Sequence, residues 1–253
     1  MPASHASSPS KVRPDIGPAA AGGVELPAAE QLLWHHACCW AEKDAPLVPG
    51  YTEVAECFGA IPPTTDQHAR FAIRITPDRF GRATASRVAK PGTPVHTRPE
   101  PLALHSHRLL DQLQDAVRGC LPLQSGDPRQ IRRVSQASLD DERCTVYATN
   151  RQAGGLEFEF TVWIDVRRGY AKRIDYHARG FPCGEPGITT AAAVGSRRYR
   201  VDGAARWLLV EERERLTFWS ASVDLPPRGH AERTIVYSEH WMPAPPAEMQ
   251  RSG

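Results

Sequence analysis

The side chains best suited to chemistry are histidines and cysteines clustered early in the chain. His35, His36, Cys38 and Cys39 could offer soft ligands to a metal ion. Neighbouring residues on a helix point about 100° apart, so these four side chains cannot converge on one metal without ligands from elsewhere. We therefore predict neither a metal site nor a cofactor.

Two other polar groups have simple structural explanations. His105 and His107 lie near a predicted helix start, where we expect them to be solvated, although they could chelate a metal if that start is extended. Asp140, Asp141 and Glu142 form an acidic stretch, and a hairpin connection requires only polar residues there.

Signatures of the common enzyme classes are absent from the sequence. A Cys–His nucleophile needs one particular cysteine close to a base, and six cysteines and ten histidines supply many chance pairs. There is no G-x-S-x-G, no glycine-rich phosphate loop and no H-E-x-x-H. We therefore expect a protein that is not an enzyme.

The cysteines suggest free thiols more than a disulfide framework. Their number is even, which would permit disulfides in an exported protein, but their spacing favours no pairing. Cys144 alternates with Val146 and Ala148, which predicts a buried thiol on the inner side of a strand. The six are Cys38, Cys39, Cys57, Cys120, Cys144 and Cys183.

Composition and charge exclude some partners. In 253 residues, a hydrophobic content of 41% can form a sizeable core. The 31 basic and 29 acidic residues nearly cancel and alternate along the chain, so we expect no nucleic-acid surface. No apolar run approaches the roughly 20 residues of a transmembrane helix, and no export signal is visible. Nothing indicates an oligomeric state.

The chain is predicted to form a single domain over residues 26–245. Residues 1–25 are rich in Pro, Ala, Ser and Gly and lack an apolar period, which predicts a disordered tail. A second disordered tail is expected at residues 246–253.

Two amphipathic helices are predicted. In "LPAAEQLLWHHACCWAEKD", Pro27 suits a first helical position, and we expect the helix of Leu32 to Glu42 to pack on the concave side of a sheet with Trp34 and Trp40 largely buried. The segment "LALHSHRLLDQLQDAVRGCLP" carries a second apolar stripe, composed of Leu109, Leu110, Leu113 and Val117.

The remaining pattern is that of β-strands. Between the helices, "ARFAIRITPDRFGRATASRV" alternates as two strands around Gly81. After Pro128, short polar links join successive segments, and short links favour antiparallel neighbours. The predicted fold is α+β, with a curved antiparallel sheet or incomplete β-barrel covered by one or two helices. The predicted later strands are residues 130–138, 143–149, 155–165, 170–178, 188–201, 205–223 and 232–241.

The order of "SLDDERCTVYATN", "LEFEFTVWIDVRRGYAKRIDYHA" and "YRVDGAARWLLVEERERLTFW" resembles the strand series of the LolA/LolB-like lipoprotein-carrier superfamily. The resemblance covers roughly residues 130–241. It implies an incomplete barrel plugged by helices, an apolar cavity for acyl chains of a lipid or lipoprotein, and a periplasmic or other extracytoplasmic location. The turn in "VRRGYAKRID" lacks the proline usual in that superfamily.

Apolar strand residues are the candidate ligand-binding groups. In "LEFEFTVWID", Leu156, Phe158, Phe160, Val162 and Ile164 share one face, and Trp163 interrupts the polar alternation on the other. The same apolar residues could instead fill the core of a structural or protein-interaction module without a small-molecule ligand. The candidates are Phe71, Ile73, Ile75, Phe158, Phe160, Val162, Trp207 and Leu209.

Overall fold

A computed structural model describes residues 26–43, 48–59, 67–77, 83–87, 101–124, 131–182, 188–220 and 229–241. The two predicted tails and Gly81 lie outside these ranges. The elements are helices α1 (Ala28–Lys43) and α2 (Pro101–Gly119), and strands β1 (Val48–Gly59), β2 (Gln67–Pro77), β3 (Ala83–Arg87), β4 (Arg132–Leu139), β5 (Glu142–Ala153), β6 (Leu156–Asp165), β7 (Ala171–Pro182), β8 (Ile188–Val201), β9 (Trp207–Ser220) and β10 (Gly229–Trp241).

All ten strands form one antiparallel sheet in the order β3-β2-β1-β10-β9-β8-β7-β6-β5-β4. Strands β3 and β4 are its edges, so the sheet is not closed into a barrel. Register shifts interrupt several strand pairs, including β6 with β7 and β8 with β9. Such bulges bend strands and increase their twist. The predicted α+β class and curved antiparallel sheet are confirmed.

The long meander is also confirmed, because β4 to β10 are neighbours in chain order. Asp140 and Asp141 connect β4 to β5 with φ angles of 50° and 62°. Asp tolerates this left-handed region, which a type I′ hairpin turn requires at both central positions. Asp140 and Asp141 are therefore the predicted hairpin connection, whereas Glu142 is the first residue of β5.

Strand β1 was missing from the sequence prediction. Its segment contains Pro49 and Gly50, both unfavourable in a strand, and shows no clear apolar alternation. It is inserted between β2 and β10, so its main-chain partners come from both ends of the chain. The two strands predicted after it are confirmed as β2 and β3.

The inner face of the sheet is the face that carries the buried side chains of Phe158, Phe160, Val162 and Ile164 on β6. Glu157 and Glu159 alternate with these residues and are exposed, as the sequence predicted. Both helices contribute to the same hydrophobic core. We call the opposite side of the sheet the outer face.

Helix α1 packs on the inner face through Trp34, Ala37 and Ala41. The burial of Trp34 is confirmed at 3% exposure. The predicted burial of Trp40 is wrong, because this residue is only half-buried. It lies in the last turn of the helix, where its indole Nε1 donates to the carbonyl of Arg168 across 3.3 Å, in an exposed contact.

Helix α2 buries the predicted stripe of Leu109, Leu110, Leu113 and Val117 against the same core. It contacts β1, β5 and β9, so it crosses the inner face over most of its width. Neither helix, within the described ranges, has the length and apolar content needed to cross a membrane.

Cys144 is a buried free thiol, as predicted, but it lies on the other side of its strand. It pairs with Asp165, whereas the adjacent Thr145 pairs with the inner-face residue Ile164. Cross-strand partners share a face, so the thiol belongs to the outer face. Cys38, Cys39 and Cys120 are also free, and Cys183 lies outside the described residues.

Candidate functional site

Three of the predicted ligand-binding residues lie together on β6. Phe158, Phe160 and Val162 are at most 1% exposed. The rings of Phe158 and Phe160 stack with centroids 5.5 Å apart, and the ring of Tyr176 on β7 lies within 6.3 Å of both. We call Phe158, Phe160 and Tyr176 the aromatic wall.

Trp207 and Leu209 on β9 pack against the same core but are only partly buried. The ring of Trp207 stacks on Tyr199 with centroids 4.0 Å apart. Its Nε1 donates to the carbonyl of Ala171 across 2.8 Å. Both residues therefore lie at the end of β9 nearest the β8–β9 turn, away from the aromatic wall.

Phe71, Ile73 and Ile75 occupy alternate positions of β2, as predicted. They pair in register with β1, the strand between β2 and β10. Their side chains lie outside the described part of the structure. A role of the eight candidates in ligand binding stays a prediction.

Helix α1 is fastened to the sheet mainly near its ends. Near its start, the carboxylate of Glu30 pairs with Arg133 on β4 at 2.6 Å. At its end, the Lys43 ammonium donates to the carbonyl of Ala205 across 3.2 Å. Between them, the Trp34 ring packs edge-on against Tyr147 with centroids 5.5 Å apart.

A buried charged cluster on the inner face was not predicted. Its members Arg197, Glu212, Glu214 and Arg233 are at most 3% exposed and lie on β8, β9 and β10. Buried ions require partners, because moving a charge out of water is costly. Arg197 forms an ion pair with Glu212, and Arg233 forms one with Glu214 at 2.6 Å.

Arg233 also joins the sheet to helix α2. Its Nη1 donates to Asp111 and its Nη2 to the carbonyl of Leu110, both across 2.7 Å. Its Nε donates to Glu214 across 2.7 Å. The Arg233 guanidinium therefore links β9 to helix α2 through three hydrogen bonds, two to carboxylates and one to a backbone carbonyl.

The second ion pair is also linked to helix α2. Gln114 donates from Nε2 to the Glu212 carboxylate across 3.2 Å, and the Tyr237 hydroxyl donates to the same carboxylate. Helix α2 is thus attached to both halves of the charged cluster.

The two glutamates have opposite pKa shifts. Burial raises the pKa of Glu214, and the nearby Arg233 does not fully offset this effect. Burial also acts to raise the pKa of Glu212, but Arg197 and the Tyr237 hydroxyl outweigh it, so that pKa is lowered. Opposed shifts can mark an acid and a base in enzymes. Here both carboxylates are buried and already paired with arginines, so we assign the cluster to holding helix α2 on the sheet.

Gly195 on β8 allows Tyr176 to take part in this cluster. The Tyr176 hydroxyl donates to Glu214 on β9 across 2.8 Å, so its ring passes over the intervening strand. A Cβ at position 195 would clash with Cζ and the hydroxyl of Tyr176.

A signal for the cluster was present in the sequence. Glu212 and Glu214 are in phase with Leu216 on β9, and Arg233 is in phase with Ala231 and Ile235 on β10. Charges in phase with the apolar side of a strand indicate buried ion pairs, since the period of a strand is two.

An open cleft of about 580 Å³ lies at the end of the β5–β6–β7 hairpins. Its side chains from the outer face are polar and include Glu157, Glu159, His177 and Arg179. Arg179 and Glu159 form an exposed ion pair at 3.5 Å. Phe158 of the aromatic wall also lines this cleft, so residues of both faces meet there at the strand ends.

The early histidines and cysteines point away from the core or lie at its margin. His35, His36 and Cys39 are exposed, and Cys38 is half-buried. Among the residues that the structure describes, no three His, Cys, Asp or Glu side chains are grouped for a metal ion.

No family model matches the sequence, and no curated protein matches it either. Among solved structures, a LolA superfamily protein from Nitrosomonas europaea is similar at a TM-score of 0.31 and 12% identity, covering 91% of this chain and 97% of that one. A putative outer membrane lipoprotein-sorting protein domain from Vibrio parahaemolyticus is similar at a TM-score of 0.35 and 9% identity, covering 88% of this chain and 96% of that one. Lipovitellin, from a structure on lipid–protein interactions, is similar at a TM-score of 0.30 and 11% identity, covering 80% of this chain and 26% of that one.

Proposed function

We propose that this chain binds the acyl chains of a lipid or lipoprotein on the inner face of its sheet and catalyses no reaction. The observation that carries the proposal is the aromatic wall, which lies on an open sheet covered by helices. A helix can move away from a sheet without breaking strand pairs. A ligand could therefore reach the wall while the sheet stays intact.

Helix α1 is the better candidate for the cover that moves. Its buried side chains are one indole and two alanines, and its ion pair with Arg133 is partly exposed. Exposed ion pairs contribute only about 0–1 kcal/mol. Helix α2, in contrast, is attached to buried charges. We propose that an acyl chain replaces the contacts of α1 with the inner face.

The energy of such a ligand would be sufficient. Burying an acyl chain contributes about 0.8 kcal/mol per CH₂, or on the order of 10 kcal/mol for one long chain before ordering costs. No specific polar anchor is required. The motifs that resemble lipoprotein carriers support the same ligand class, and we propose an extracytoplasmic location for this function.

A filled-core interaction module is the second candidate. It is favoured by the burial of Phe158, Phe160 and Val162, which are at most 1% exposed. In this alternative, the helices and the aromatic wall form a permanent core, and no lipid enters.

Lipid content and probe binding distinguish the two candidates. For an acyl-chain carrier, native mass spectrometry of the purified chain should detect bound lipids, and a fluorescent fatty acid should bind and be displaced by oleate. Absence of both signals in the folded wild-type chain would refute acyl binding and leave the filled-core module.

Substitutions then locate the bound chain. Phe160→Glu should abolish probe binding, because it places a carboxylate against the acyl chain. Glu159→Ala is the matched control on the outer face and should leave binding unchanged. Thermal unfolding of both variants shows whether Phe160→Glu remains folded.

Phe160→Leu keeps an apolar side chain, so it should retain the fold and change probe affinity. Unchanged affinity in a folded Phe160→Leu would place the probe elsewhere.

A further inference from the structure

We infer that His35 and Cys39 form a two-ligand site for Zn²⁺ on the exposed side of helix α1. The imidazole Nε2 of His35 lies 3.6 Å from Sγ of Cys39. The residues are four positions apart, so they lie one above the other on the same side of the helix. Both are exposed, so an ion can reach them from solvent.

The spacing of the two atoms matches the requirement of tetrahedral zinc. Bonds of about 2.0–2.1 Å to nitrogen and about 2.3 Å to sulfur, at a tetrahedral angle, place the two ligand atoms about 3.5 Å apart. The observed separation is 3.6 Å. An ion could therefore bind both atoms without a change of the helix backbone. The alternative to a metal site is a simple thiol–imidazole contact between the two side chains, which would form whether or not an ion can reach them.

The surroundings of the pair leave the site accessible. Lys43, four residues after Cys39, is directed away, since its ammonium contacts the carbonyl of Ala205 and lies 5.4 Å from the Trp40 ring centre. Glu42 follows Cys39 by three residues and is exposed, so it adds negative charge on the same side of the helix.

The chain supplies two ligands, since no group of three is found among the described residues. Water would occupy the remaining positions of the ion. The thiolate is the form of cysteine that binds zinc, so binding forms one Zn–S and one Zn–N bond and releases the Cys39 thiol proton to the buffer. Neutral imidazole contributes Nε2 without losing a proton.

Protection of Cys39 from alkylation tests the site in the full chain. At a Zn²⁺ concentration about ten times the dissociation constant, mass action leaves about one chain in eleven free, so maleimide labelling of Cys39 should slow about tenfold. Mass spectrometry of peptides measures this at Cys39 separately from the other cysteines. Co²⁺ should also produce a thiolate-to-cobalt charge-transfer band. Unchanged labelling with saturating Zn²⁺, or the lack of this band, would overturn the inference.

Variants separate the pair from its neighbours. His35→Gln should abolish Zn²⁺ protection of Cys39, and Cys39→Ser should abolish the cobalt band. His36→Gln is the matched control, because position 36 points about 100° away on the helix, and it should retain both signals. Circular dichroism verifies the fold of each exposed-site variant. A cobalt band that survives in Cys39→Ser, or protection that survives in His35→Gln, would place the metal elsewhere and refute this site.

Discussion

Gly195 leaves the space through which Tyr176 reaches Glu214. Any larger side chain at position 195 would clash with the Tyr176 ring, because a Cβ placed there would lie too close to Cζ and the hydroxyl of Tyr176. We predict that Gly195→Ala lowers the free energy of unfolding by about 3 kcal/mol, because the ring must move and a buried carboxylate loses a donor. Urea denaturation measures the change.

Two further variants define this effect. Gly203→Ala is the control, since a Cβ there meets no atom within 4 Å, and its cost should stay within about 0.5 kcal/mol. Tyr176→Phe removes only the hydroxyl, at a cost of about 1–3 kcal/mol. Equal losses for Gly195→Ala and Gly203→Ala would contradict the assigned role of Gly195.

Helix α2 depends on one guanidinium of β10. Arg233→Met should lower the free energy of unfolding by about 3–5 kcal/mol, since Glu214 would remain buried without its ionic partner. Relative to the wild-type chain, amide hydrogen exchange should accelerate more in α2 than in α1. Adding Glu214→Gln should recover part of the loss, because it removes the uncompensated charge.

The matched control for this prediction is Arg213→Met on neighbouring β9. The Arg213 side chain is 64% exposed and pairs with Glu211 at the surface. Its loss should cost no more than about 1 kcal/mol. A cost for Arg233→Met as small as for this control would show that the buried pair does not hold α2.

Helix α1 is held by one of its two tryptophans. Trp34→Ala should lower the free energy of unfolding by about 3–5 kcal/mol, because it leaves a cavity beside Tyr147. Trp40→Ala should cost less than about 2 kcal/mol, since this side chain is only half-buried. Thermal and urea unfolding of both variants give the comparison, and the reverse order would contradict the assigned packing of α1.

At the scale of the whole molecule, buried thiols and phenols make stability sensitive to alkaline pH. Burial raises the pKa of Cys120 and Cys144 from 9.0 to about 11, and that of Tyr147 and Tyr199 from 10.0 to about 12. The unfolded chain releases these protons first. Their stabilising contribution is therefore complete below about pH 9 and is lost as the pH rises toward 11 to 12.

We accordingly predict that the free energy of unfolding falls as the pH rises above about 9. Urea denaturation at several pH values measures the slope. Cys144→Ala should make the decline less steep between pH 9 and 11 than it is in the wild-type chain. A stability that is constant over this interval would refute the prediction.

Elements with a local periodicity were predictable from the sequence alone. Alternation along β6 placed Phe158 and Phe160 on one face, and helical spacing placed Trp34 and Leu113 toward the core. Short links between strands were enough to predict the antiparallel meander. These features depend on neighbours within a few residues, so they can be read without knowledge of the distant chain.

Features that depend on distant partners could not be predicted before the fold was known. Strand β1 is defined by pairing with β10 at the far end of the chain, and Arg233 meets Leu110 across 123 residues of sequence. The face on which Cys144 lies depends on the register with β6. A charged residue is stable in the core only where its partner is brought beside it, and that placement is a property of the assembled sheet and helices.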